Sequence, residues 1–438
     1  MDWRERYADK LTSAEGAVAV VKDGDRVVIG MHYQTPLALC RALAARGNEL
    51  HDVDIENSIS TFISWWPDGE PNNFNVRTFF LQAGDRPAMR RGLLDYVIAP
   101  PIRSDRSYWL DRTPDVFLVS VSPPDADGWC SFGMSVWGAP EVAREAACMV
   151  GEVNERLIRT GGDNRIHVSR FASLVEAPRE WKFLQRTPRT DEENEVTDVV
   201  CSLVASELVQ DGDTFQIGTG TVSAPLATFL GHRRHLGVHT ELIFGGVPEL
   251  VEQGVVDGSR KTLHPGKVVG ASFGPLTPEE FAKVDGHPAY ELYCMSHTND
   301  IAVIAANDNM IAVNNALLVD LTGQIDGETL GPEIYSGTGG AFAFAVGALH
   351  AKNGRSVTVL PSTSVVEGER RSRIVAMFPQ GTAVTVPRGY ADIFVTEYGI
   401  AHLRGKSLRQ RVDELIAIAH PEFRAELRAE ARRHYGAG

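Results

Sequence analysis

Val209-Gln210-Asp211-Gly212-Asp213-Thr214-Phe215-Gln216-Ile217-Gly218 repeats Val21-Lys22-Asp23-Gly24-Asp25-Arg26-Val27-Val28-Ile29-Gly30 at an offset of 188 residues. Each copy runs from a valine through an Asp-Gly-Asp turn and an apolar run to a glycine, and an apolar run behind an Asp-Gly turn is a strand signal. Pro36-Leu37-Ala38 follows the first copy and opens a helical pattern ending at Gly47. Pro225-Leu226-Ala227 echoes it after the second, with one extra loop residue. The period is far too long for a solenoid. Strand, glycine turn and helix, twice over, predict two tandem open α/β domains of similar topology, residues 1–185 and 186–438.

Outward from the copies, Trp3, Tyr7 and Leu11 recur every four residues and predict a helix over 3–14. Residues 17–21 fit either a helix end or a strand. Residues 115–121 read as a buried strand delivering the turn-rich loop 122–133, a position where open α/β sheets bind ligands. Residues 176–198 are polar and proline-containing, a linker whose end starts a helix at Asn194. Residues 302–306, 310–313, 357–361, 383–387 and 393–399 read as strands. Residues 407–420 and 421–433 read as helices, with Leu408, Val412, Leu415 and Ile416 on one face.

The bulk numbers narrow the function classes. Hydrophobic content of 43% and charged content of 23% are ordinary for a globular chain. A formal charge of -14 argues against nucleic acid or an anionic membrane as the main partner. Cys40, Cys130, Cys148, Cys201 and Cys294 are scattered, odd in number and without CxxC spacing, which fits a reducing cytosol better than a disulfide frame or a zinc site. The charged N-terminus lacks an apolar export segment, so a soluble cytoplasmic protein is expected.

Chemistry centres on Gly237-Val238-His239-Thr240-Glu241-Leu242-Ile243-Phe244-Gly245-Gly246. A carboxylate where a strand meets a glycine turn can project into a cleft. By residue type alone the commoner reading of Glu241 is a surface or helix N-terminal charge. His239, two residues earlier, shares its side if the stretch is a strand, and can orient Glu241, bind substrate or be structural. Gly218-Thr219-Gly220, Gly245-Gly246 and Gly337-Thr338-Gly339-Gly340 follow strands and offer backbone N–H groups to an anion. None completes a G-x-G-x-x-G or Walker A motif, and no histidine cluster suggests a metal.

Longer stretches carry a resemblance. VSPPDADGWCSFGMS (121–135), Gly151 to Asn154, Ile166 to Ser169, Gly218 to Pro225, LGVHTELIFGG (236–246), ANDNMIAVNNALLVDLTGQI (306–325), Ser336 to Gly340, Pro361 to Thr363 and VTEYGIAHLRGK (395–406) resemble the acetyl-CoA hydrolase/transferase family of class I CoA-transferases, nearly end to end. The resemblance implies two α/β domains with the active site in the cleft between them. It implies a ping-pong acyl-CoA:carboxylate CoA-transferase with Glu241 as covalent nucleophile. Gly218, Gly220, Gly337, Gly339, Gly340 and His239 are implied as oxyanion and substrate contacts. Coenzyme A and acyl-CoA enter as substrates with a carboxylic acid, with no tightly bound cofactor, and a homodimer is expected. Lys267, Arg388 and Lys406, with Arg371 and Arg404 also available, are candidates for the CoA phosphates. Acyl-CoA hydrolase, with water as acceptor, and acyl transfer to an amine or alcohol are the alternatives. The family's Gly-Gly-Gln-x-Asp-Phe loop reads Gly339-Gly340-Ala341-Phe342-Ala343-Phe344 here, so Ala341, Phe342 and Ala343 are expected to form a more apolar acyl pocket. Trp137-Gly138, where relatives often carry Asp-Tyr, is a second departure.

Overall fold

In a computed structural model of the chain, residues 2–59, 73–99, 113–178 and 189–436 are described. They form two compact units. The first comprises Met1–Gln185 with Ala271–His297, and the second Arg186–Gly270 with Thr298–Gly438.

The first unit is built on a parallel sheet of β1 (Arg26–Ile29), β2 (Val53–Glu56), β3 (Phe74–Thr78), β4 (Asp95–Tyr96), β5 (Val116–Val121), β6 (Cys148–Val153) and β7 (Ser173–Glu176). Their order across the sheet is β7-β6-β5-β1-β2-β3-β4. Val27, Ile29, Val53, Ile55, Leu118 and Val150 on one face pack against the helices Ala14–Val18 and Leu37–Ala45, while Val28, Phe117, Val119 and Met149 join a second cluster. Burial of this kind stabilises by roughly 1.5–3 kcal/mol per large aliphatic side chain.

The second unit repeats the plan. Its strands are β8 (Thr214–Ile217), β9 (Gly237–His239), β10 (Val268–Gly270), β11 (Met310–Asn315), β12 (Arg355–Val359), β13 (Ile393–Thr396) and β14 (Gly399–His402). They lie in the order β14-β13-β12-β11-β8-β9-β10, parallel except for the β13–β14 hairpin. The first strand of each unit therefore has its second strand on one side and a later strand on the other, which places the topological switch point at β1/β5 and at β8/β11.

The 188-residue offset maps β1 onto β8 end to end. It also superimposes their turns. Asp25 and Asp213 each accept a backbone N–H from three residues upstream, Lys22 at 2.8 Å and Gln210 at 2.6 Å. Gly24 and Gly212 both adopt positive φ, 74° and 87°, the left-handed conformation that favours glycine. Gly30 and Gly218 both donate to the strand across the switch point, at Leu118 and Val313.

Several local expectations give way to tertiary structure. Ala271–His297 packs with the first unit rather than the second, tied by Val136 N–H to Ala271 O, Phe273 N–H to Met134 O and Met295 N–H to Trp137 O. The helix expected over 3–14 is two short ones, Trp3–Arg6 and Ala14–Val18, because Leu11 leaves to bridge Leu174. Residues 302–306 are not a strand. Asp300 caps Ala302 N–H and Val303 N–H at 2.7 and 3.1 Å, starting the helix Ile301–Ala305. Residues 383–387 contribute only a bridge from Val386 to Ile325. Leu226–Phe229 is a 3-10 turn where the first unit has a nine-residue helix. The helix placed at Asn194 begins at Asp191, where Thr190 and Glu193 close a capping box. Residues 179–188 of the expected linker lie outside the described residues.

Candidate active site

Glu241 stands just past the C-terminal end of β9, between that strand and Leu242–Ile243. The backbone there is held on both sides. Thr240 N–H donates to Val269 O, and the Thr240 hydroxyl reaches Leu242 O at 3.1 Å and Ile217 O at 3.4 Å. β8 pairs with β9 as Thr214 with Gly237 and Phe215 with Val238, so the same register puts Gly218 level with Glu241. The carboxylate thus sits at the strand-end rim beside the switch point, where a doubly wound sheet opens to ligands.

Asn299 positions it. The buried Asn299 Nδ2 makes a short hydrogen bond to Glu241 Oε2. Asn299 Oδ1 accepts from the Thr298 hydroxyl at 2.9 Å, which turns the amide so that its N–H₂ faces the acid. His239 Nε2 lies 2.9 Å from Thr298 O, and because a carbonyl can only accept, Nε2 carries the proton. His239 is fully buried and its ring lies 6.3 Å from that of Phe344. It therefore braces the segment that holds Asn299.

Gly340 closes the other side. A Cβ on Gly340 would stand 2.5 Å from Glu241 Oε2 and 3.0 Å from Asn299 Nδ2, so only glycine lets the chain approach the acid this closely. Gly340 is also the N-cap of the helix Ala341–His350, and no side chain caps that end. Its first-turn N–H groups and partial positive charge are available to an anion. Gly339, at φ 52°, makes the turn into it.

Burial pushes the Glu241 carboxyl up to about 7, against the opposing pull of the Asn299 hydrogen bond. The result is a desolvated carboxylate that shares its proton near neutral pH. Such an acid is more nucleophilic than a hydrated surface glutamate.

The remaining candidates separate. Gly218 and Gly220 leave room for Asn314 and Asn315, whose side-chain atoms occupy the Cβ positions those glycines lack. Asn315 Nδ2 donates to the Ser223 hydroxyl at 2.5 Å and the hydroxyl donates on to Gly218 O at 2.6 Å, stitching the loop to the end of β11. Ala341 to Phe344 do not form one wall. Phe344 packs toward Gly340 and His239, Phe342 meets Tyr390 edge-on at 6.0 Å, Ala343 is buried, and Ala341 lines a small cavity. Lys267 precedes β10 and is level with Gly237, so it stands at the opposite end of the strands from Glu241. The Lys406 ammonium is engaged by Glu414, Arg371 pairs with Glu369 at 3.6 Å, and Arg388 is exposed at the start of a 3-10 turn. Asn299 and Thr298 were not marked by any spacing. The Glu241–Asn299 pair spans 58 residues, and only the capping Asp300 beside it leaves a sequence signal.

The comparisons agree with this architecture. Residues 1–185 match the model of the acetyl-CoA hydrolase/transferase N-terminal domain and residues 277–431 that of its C-terminal domain. The chain belongs to the acetyl-CoA hydrolase/transferase family. It is 36% identical to 4-hydroxybutyrate coenzyme A transferase of Clostridium kluyveri, over 99% of this chain and 100% of that protein. It is 34% identical to succinyl-CoA:cyclohexane-1-carboxylate CoA transferase of Geobacter metallireducens, over 98% and 97%. Among solved structures, RipA from Yersinia pestis superimposes with a TM-score of 0.89 at 30% identity, covering 99% of both chains. A 4-hydroxybutyrate CoA-transferase from Porphyromonas gingivalis gives 0.78 at 29%, over 99% and 100%. No helix among the described residues is long and apolar enough to cross a membrane.

Proposed function

We propose that the protein is an acyl-CoA:carboxylate CoA-transferase with Glu241 as its covalent nucleophile. Relatives matched over nearly the whole chain are named as CoA transferases. The observation that carries the site is the Glu241 carboxylate, desolvated and held by Asn299 against Gly340.

The Glu241 carboxylate attacks the thioester carbonyl, the C–S bond breaks, and an acyl-glutamyl anhydride forms with release of CoA thiolate. The thiolate then attacks the glutamyl carbonyl, expelling the first carboxylate and leaving a glutamyl-CoA thioester. An incoming carboxylate reverses the two steps and departs as the new acyl-CoA. No net proton or electron is consumed. Each tetrahedral oxyanion needs donors that are already in place, and the uncapped first turn at Gly340, with Gly337 and Gly339 before it, is the nearest set. Gly220 completes our reading of that rim, whereas the Gly218 N–H is already given to Val313 O and Gly218 serves there as space for Asn314. The small apolar side chain of Ala341 beside Gly340 supports an acyl group bulkier or more apolar than the small polar acids. Five free cysteines fit a reducing cytoplasm, and the resemblance supports a homodimer, which light scattering on the purified protein will test.

Hydrolysis through the same glutamate is the competing outcome. Steady-state kinetics with an acyl-CoA and a carboxylic acid distinguishes them. Parallel double-reciprocal lines and CoA exchange that requires the acid support transfer, whereas free CoA released at an undiminished rate without it contradicts transfer.

A further inference from the structure

Tyr335-Ser336-Gly337-Thr338-Gly339-Gly340 delivers the glycine that stands against Glu241, and a short segment upstream sets its course. Glu328 O accepts the Tyr335 N–H at 2.8 Å and the Ser336 N–H at 3.1 Å. The Ser336 hydroxyl donates to Gly327 O at 2.9 Å. Between segment and loop the chain turns back on itself, with Thr329 paired to Ile334 and Leu330 to Glu333. The segment is anchored in turn. Buried Asp326 accepts the N–H groups of Glu328 and Thr329 at 2.8 and 3.0 Å, and Gly327 N–H donates to the Thr385 hydroxyl at 2.9 Å.

The side chain of Glu328 adds a contact that the turn itself does not need. Its half-buried carboxylate makes one hydrogen bond among the described residues, from the Thr338 hydroxyl to Oε2 at 3.1 Å, and no cation among them pairs with it. A carboxylate drawn out of water needs a partner, and the partner here is the loop. In Gly337-Thr338-Gly339-Gly340 only Thr338 carries a side chain, and glycine leaves the backbone around it free to choose among many φ values. Thr338 is therefore the one side chain by which this stretch can be pinned. The N–H groups of Gly337, Thr338, Gly339 and Gly340 donate to no protein acceptor among the described residues, although Gly337 and Gly340 are buried. Successive unpaired donors of this kind suit an anion.

We propose that Glu328 is a positioning residue for the chemistry at Glu241. By holding the Thr338 hydroxyl it fixes the peptide planes of Gly337 to Gly340, so that their N–H groups are in place when an oxyanion forms. This rests on the reading of Glu241 as nucleophile. Donors fixed in advance stabilise the transition state because nothing has to reorganise as charge develops, and a loop released from Glu328 loses that advantage.

Rapid-quench mass spectrometry, with a panel of acyl-CoA thioesters and no acceptor acid, times the charging of Glu241 with CoA. Calorimetry with free CoA measures binding separately. With the fastest thioester of the panel, Thr338→Val should charge about 10- to 100-fold more slowly than the wild type, the penalty of misplaced groups. Its affinity for free CoA should be unchanged. Thr338→Ser keeps the hydroxyl and should restore the rate. Glu328→Ala should slow charging as Thr338→Val does, and the double variant should be no slower than the slower single one, since both remove the same contact. If Thr338→Val does not fold, Glu328→Ala against Glu328→Gln, which keeps an acceptor oxygen, carries the comparison. Wild-type rates in Thr338→Val and Glu328→Ala, losses that multiply in the double variant, or a fall in CoA affinity that matches the fall in rate overturns the positioning role and leaves the nucleophile standing. A wild type that no thioester charges contradicts the reading of Glu241 itself, and the proposal falls with it.

Discussion

Glu241 owes its chemistry to two neighbours, Asn299 and Gly340, that hold a desolvated carboxylate at the rim of a sheet. Asn299 is the one whose removal is most informative, because it favours the ionised form that attacks. Asn299→Ala removes a hydrogen bond to a charged group, worth about 1.5–3 kcal/mol, so kcat/KM for acyl-CoA should fall roughly 10- to 100-fold. The pH profile separates this from a general loss of structure. In the wild type kcat/KM should fall as the pH drops below about 7, where burial places the Glu241 carboxyl. In Asn299→Ala the midpoint should rise, and an unchanged midpoint would show that the amide does not act on the acid.

The same shift has a consequence for stability, with a definite sign. The folded carboxyl, raised to about 7, holds its proton more tightly than an ordinary solvated glutamate, so folding is penalised once the acid must ionise. The penalty is absent below about pH 4, grows through the window between the two values, and is complete above about pH 7. Glu241→Gln should therefore stabilise the protein by about 1–3 kcal/mol at pH 8 and by nothing at pH 4. Thermal melts across that range will check it, and an equal or opposite change at the two pH values would contradict the burial account. Glu241 itself was legible in the sequence as a carboxylate before a double glycine. Asn299 was not, since its pairing with Glu241 exists only after the chain between them has folded.

At the level of elements, β1 and β8 were readable because each follows an Asp-Gly-Asp turn whose geometry the residues themselves impose. Gly24 and Gly212 supply positive φ, and Asp25 and Asp213 bond their own backbone. The errors fell where apolar runs leave the element type open. Ile301–Ala305 is rich in β-branched residues yet helical, because Asp300 caps it and the helix Ala341–His350 packs on it. Residues 383–387 carry strand-like composition, but Ala383 N–H is taken by the Thr329 hydroxyl rather than by a neighbouring strand. The helix Asp191–Leu203 starts three residues before the expected position, at a capping box that the polar linker concealed. Thr190→Ala should cost about 1 kcal/mol and lower the melting temperature by roughly 2–4 °C. A melt within error of the wild type would show that the capping box does not stabilise this helix.

At the scale of the whole molecule, the repeat foretold two units of like topology, and the matching strand orders about β1 and β8 bear that out. It did not foretell that Ala271–His297 would join the first unit, because those contacts link residues over a hundred positions apart, as from Met134 to Phe273. Nor did it foretell that Ala341 to Phe344 would disperse to four different surroundings, since successive helical residues point in different directions. The central claim is that the rim of the second unit carries a glutamate that becomes covalently charged with CoA. Incubation with a panel of acyl-CoA thioesters, followed by borohydride reduction and peptide mass spectrometry, tests it directly. The account predicts reduction of the Glu241 side chain to the alcohol, dependent on acyl-CoA and absent from Glu241→Gln. Turnover of an acyl-CoA with Glu241 unmodified throughout the panel would contradict it.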